Sequence, residues 1–143
     1  MQFSRNSPIL GQSDITEAQL AAAFETMTPP SQMKNMRKAC KEIIAISKKT
    51  GIHPLVLAAI GWIETGAPGT GLPFRSDWWV NGFNFGNLGI TGDDDQNAAA
   101  QTWATPEDGV RGTAAHLVAY ALGKGWRSAW DADELGLPQT WDK

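Results

Sequence analysis

The chain is poor in several things, and each shortage removes a class of explanation. Its 143 residues hold one cysteine, one tyrosine and two histidines. A lone thiol excludes an intramolecular disulfide and leaves the redox compartment open. Charge is sparse at 19% and nearly balanced, with a net −3 and a pI near 5.3. The basic footprint that a nucleic-acid binder needs is therefore missing, and nucleic acid is not an expected partner. No apolar run approaches the length of a membrane span, so no membrane insertion is expected. Met1 to Leu20 carries Arg5 but lacks the apolar core of a secretory signal, so export by that route is not expected. No internal repeat and no linker divides the chain.

What is present is ordinary globular composition, 42% hydrophobic, with length enough to bury a real core. A single domain spanning 1–143 is expected, with 1–30 as a helical lead-in and 31–143 as the main body. Seven tryptophans stand out. Trp is placed where a flat apolar face is wanted, in a core or under a ligand ring, and sugar rings offer apolar C–H faces.

Asp14 to Glu25 reads as a first helix, with Thr16 and Gln19 as a capping box and Leu20, Ala23 and Phe24 as its apolar face. A second runs from about Ser31 to Thr50 and ends at Gly51. Its lysines read as a solvated face. Met33, Met36, Cys40 and Ile43 or Ile44 recur at helical spacing, which makes Cys40 a small buried side chain. A Cys40–His116 nucleophile pair is disfavoured, because Cys40 sits mid-helix and not at an exposed N-terminus. Pro54 opens a third helix that reaches Glu64. Apolar side chains surround this helix, so it is expected to be central and buried, with His53 as a capping or packing residue at its entry. From Thr65 to about Asn97 the texture turns to Gly, Pro, Asn and aromatics, an irregular stretch that includes at most a small hairpin. A last helix is expected from Val110 to about Leu122, with Val110, Ala114, Leu117 and Ala121 on one face. Trp126, Trp130, Leu135, Leu137 and Trp141 are spaced to pack back on the domain.

Glu64 carries the most chemical information. It ends an apolar helix, at the negative pole of the helix dipole, with no Lys or Arg beside it in sequence. Each of these favours the protonated carboxyl, which a glycosidase needs to give a proton to a leaving oxygen. The competing reading is a solvated or salt-bridged Glu at a helix end.

Four segments occur in order: Glu64-Thr65-Gly66, Asn84 to Gly92, Pro106 to Arg111, and His116 to Ala121. Together they resemble the endo-β-N-acetylglucosaminidase family of the lysozyme-like superfamily, found in bacterial autolysins and phage lysins. The resemblance covers about Gly51 to Trp141. It implies a mainly α (α+β) lysozyme-like fold, a helical domain with a small irregular or β lobe flanking a cleft. It implies cleavage of β-1,4 bonds in bacterial peptidoglycan glycan strands, with Glu64 as general acid, the 84–89 loop lining the cleft and Tyr120 reaching it. His116 and Tyr120 are four apart, so they share a helix face distinct from the Val110 stripe.

Trp78, Trp79, Asn84, Phe85 and Asn87 are the further groove candidates, with His116 as a hydrogen-bonder to the loop. Asp77 and Asp93 are candidates for a second carboxylate. A separation of about 5 Å would make the second group a nucleophile, and roughly 6.5–9.5 Å would leave room for water. The substrate N-acetyl group can also take that part. Asp93, Asp95 and Asn97 begin like a calcium loop, but the sixth-position Gly and twelfth-position Glu are missing. No metal or cofactor is expected. Two departures from the family stand out: Ala67 to Pro73 replaces a compact aromatic turn, and Phe83-Asn84 replaces paired asparagines. The rival readings are a lytic transglycosylase or muramidase of the same superfamily, and a non-catalytic sugar-binding or structural phage tail component. Action at the bacterial wall as a phage-encoded or virion-borne lysin is expected by analogy, with virion proteins as further partners.

Overall fold

A computed structural model describes residue 11, residues 13–88 and residues 101–122. Helix α1 (Glu17–Glu25) starts where the capping box predicts. Thr16 Oγ1 accepts from the Gln19 amide at 3.2 Å, and the Gln19 side chain accepts from the Thr16 amide at 2.9 Å. A 3₁₀ turn (Pro30–Gln32) leads into α2 (Met33–Thr50), which Gly51 closes at φ 78°. That left-handed angle suits glycine at the helix end. Helix α3 (Pro54–Glu64) opens on Pro54, and the His53 ring caps it by accepting from the Leu55 amide at 3.2 Å.

Helix α2 is the centrepiece, in contact with α1, α3 and α5 (Pro106–Leu122). Its buried residues Met36, Ala39, Cys40, Ile43 and Ile46 recur every three or four positions, as one face of an α-helix requires. Leu20 and Phe24 of α1 lie in the same core as Leu57 of α3 and Val110 and Ala114 of α5. Helix α1 is thus part of the core. Arg111 of α5 grips Glu42 of α2 with two nitrogens, at 2.8 and 3.2 Å. Such a fork is the strongest geometry an Arg–carboxylate pair can adopt.

Two expectations need correction, and a third is narrowed. No β-strand occurs among the described residues, so of the expected irregular or β lobe only the irregular form is seen there. A six-residue helix, α4 (Asp77–Gly82), sits in that stretch, with the Ser76 hydroxyl accepting from the Trp79 amide as its cap. Helix α5 begins at Pro106 rather than Val110, with the Asp108 amide donating to the Thr105 hydroxyl. Helix α3 is not buried all round: Ala59, Trp62 and Ile63 face solvent, Ile63 at 71% exposure. The tail tryptophans Trp126, Trp130 and Trp141 lie outside the described residues.

Candidate active site

Residues 65–88 wrap from the end of α3 toward α5, and buried polar side chains fix their path. The Thr65 hydroxyl donates to the Gly61 carbonyl and accepts from the Phe74 amide at 2.9 Å. The Arg75 and Ser76 amides both donate to the Thr65 carbonyl. One buried threonine therefore ties the chain after α3 to the entry of α4. Asn84, fully buried, braces the next turn: its Oδ1 accepts from the Leu88 amide at 2.8 Å and its Nδ2 donates to the Leu88 carbonyl at 2.9 Å.

The 83–88 turn is wedged between α3 and α5 at positions without side chains. A Cβ on Gly61 would overlap the Phe85 ring at 2.1 Å, and one on Gly109 would meet the Phe83 carbonyl oxygen at 2.0 Å. These two glycines allow the turn to lie directly on both helices. Gly86 packs as closely on Thr113 of α5, where its Cβ would fall 2.6 Å from the hydroxyl.

The consequence is felt at Glu64. Asn87, at φ 48°, donates from Nδ2 to Glu64 Oε2 at 2.7 Å. A carboxylate can only accept, which assigns the amide orientation. Glu64 is half-buried at the last turn of α3. At 100° per residue its nearest helix neighbours are Ile60 and Gly61, then Leu57, so it stands on the border between the core side and solvent. Ile60 and Ile63 continue the solvent side as an aliphatic surface beside the carboxyl. Trp62, two positions away, points elsewhere: its indole donates to the Gly71 carbonyl at 3.1 Å and its ring meets Phe24 at 5.7 Å.

Three groove candidates do not have the surface that role requires. Trp79, Phe85 and Asn84 are all 0% exposed. Trp79 is a core residue whose indole donates to Gln32 Oε1 at 3.1 Å and whose ring abuts Phe74 and Phe85. Phe85 fills the space over Gly61. Asn84 spends both polar atoms on Leu88. All three support the site from behind. Buried polar groups need partners, and the Trp79 indole and the Asn84 amide supply them in the interior.

Asn87 is brought into direct contact with Glu64. Trp78 stays half-exposed on α4, and Asp77 is exposed in the first turn of the same helix, where its charge suits the helix dipole. His116 is half-buried, and burial pushes its imidazole below the usual histidine value. On α5, positions 116 and 120 continue the line of Gly109 and Thr113, the face that receives the 83–88 turn. The Tyr120 side chain and Asp93 lie outside the described residues. Among the described residues no group of three His, Cys, Asp or Glu could hold a metal. Cys40 is buried against the Met36 sulfur at 3.6 Å, and desolvation pushes its thiol up to about 12. A thiol so held is inert as a nucleophile.

A cavity of about 300 Å³ opens between α2 and the entry of α3, lined by Ile15, Ile44, Ser47 and Lys48 among others. None of those residues belongs to the Glu64 region. No protein-family model, curated protein or solved structure matches this chain.

Proposed function

We propose that the chain is a peptidoglycan hydrolase of lysozyme-like fold that cleaves β-1,4 glycosidic bonds in the bacterial wall, with Glu64 as general acid. The observation that carries this reading is the hydrogen bond from Asn87 to Glu64. It joins, across 23 residues of sequence, two of the four segments on which the glucosaminidase resemblance rests. A carboxyl at a helix end, held by one oxygen and flanked by Ile60 and Ile63, suits protonation of a glycosidic oxygen while a sugar's apolar face lies alongside.

The chemistry follows from that one carboxyl. Glu64 gives its proton to the leaving oxygen as the C1–O bond breaks and positive charge develops on the ring. Water, or first the substrate's own N-acetyl oxygen, then takes C1, and the carboxylate accepts a proton back. The order of the motifs favours an N-acetylglucosaminidase, and the site of action is the bacterial wall, as a phage lysin or virion-borne enzyme. Mass spectrometry of a borohydride-reduced peptidoglycan digest tests the reading. Reduced N-acetylglucosamine ends are expected. Reduced muramic ends would make the protein a muramidase, anhydromuramyl ends a lytic transglycosylase, and an undigested wall a sugar-binding component.

A further inference from the structure

We infer that Asn87 is a positioning residue that divides the work of the two Glu64 oxygens: it anchors Oε2 and leaves Oε1 to carry the proton. This rests on the reading of Glu64 as the acid. Oε2 accepts the Asn87 amide at 2.7 Å, whereas Oε1 has no partner among the described residues. A carboxyl with one oxygen pinned cannot rotate freely, so the other is presented in a fixed direction. Alignment of that kind is where a general acid gains its rate, and a misplacement of about 1 Å costs on the order of 100-fold.

Two further facts say that the contact is built in rather than incidental. Asn87 adopts a left-handed backbone at φ 48°, a region that L-residues other than Asn and Asp seldom enter. Glycine would fit that backbone better, and yet the position carries an amide. The second fact is that its Oδ1 is buried without a hydrogen-bond partner among the described residues. Burying an unsatisfied acceptor is unfavourable, so the fold tolerates both features to keep Nδ2 on Glu64. The turn is held in place by other groups, namely Asn84 on Leu88, Gly86 on Thr113 and Phe83 on Gly109. Asn87 is therefore dispensable for the turn and specific to the carboxyl.

That separation supplies the test. In Asn87→Gly the backbone strain and the orphaned Oδ1 both disappear, so the melting temperature should be equal or higher. The same variant should lose about 100-fold in kcat with little change in KM, because proton delivery and not sugar binding has suffered.

An Asn87→Gly protein with wild-type kcat, or one that loses KM and not kcat, would overturn the inference, while an inactive Glu64→Gln would leave the acid assignment standing. Full activity in Glu64→Gln would instead sink the acid assignment and proton delivery through Oε1 with it.

Discussion

The helical scaffold and the 65–88 segment share one apolar core, but the segment adds directional bonds of its own and backbone strain that the scaffold lacks. Helices α1, α2, α3 and α5 meet through apolar side chains, with Met36, Ile43, Leu57 and Val110 all fully buried. Burial is non-directional, so such contacts tolerate small changes of shape at small cost. The 65–88 segment buries Phe74, Trp79 and Phe85 in the same core and adds a few directional bonds from Thr65, Ser76 and Asn84. It also holds every non-glycine residue with a left-handed backbone among the described residues: Phe74, Phe83 and Asn87. Strain of this kind persists only where surrounding contacts over-determine it, and it collects at functional sites. The scaffold thus supplies stability, and the segment spends part of it to hold Asn87 on Glu64.

Substitutions can break this contrast. The largest expected effect is Asn84→Leu, similar in volume but unable to bond. It leaves the Leu88 amide without its partner, while the Leu88 carbonyl keeps the Gln101 amide at 3.0 Å, and should cost about 1–3 kcal/mol for the one orphaned group. Chemical denaturation reads that loss directly, and a cost under about 1 kcal/mol would show that the turn is held by packing alone. Ile43→Val, at an equally buried position of the scaffold, should cost only about 0.5–1.5 kcal/mol. It should also leave catalytic activity at the wild-type level. If the two substitutions cost the same, the division into a tolerant scaffold and an intolerant segment fails.

The same division explains what could be read from the sequence. The capping box at Thr16, Gly51 at the end of α2 and Pro54 at the start of α3 are local signals, and each marks the element it predicts. The start of α5 was also written locally, in Thr105, Pro106 and the acidic pair Glu107 and Asp108, a strong N-terminal signature. Gly109 stands inside that helix because the Phe83 carbonyl oxygen lies against it, a contact 26 residues distant that no local pattern encodes. Helix α4 is too short for periodicity to reveal.

At the site, the type and position of Glu64 were legible, and so was Asn87 as a member of the loop beside it. What the sequence could not distinguish was a polar or aromatic side chain lining a groove from one buried behind it. Trp78 and Trp79 are adjacent and chemically identical, and only the fold puts one half in solvent and the other in the core. Nor could the apolar run of α3 show that Ile63 stays exposed, since periodicity is silent when nearly every position is apolar.

The central claim is that Glu64 donates the proton that breaks a glycan strand. Its most direct test is turbidity clearance of purified bacterial walls by Glu64→Gln, with the circular dichroism spectrum and melting temperature compared against wild type. Glutamine keeps the shape of the side chain but has no acidic proton to give. A folded protein with clearance reduced to background is expected. A folded Glu64→Gln protein that cleared walls at near wild-type rate would contradict it.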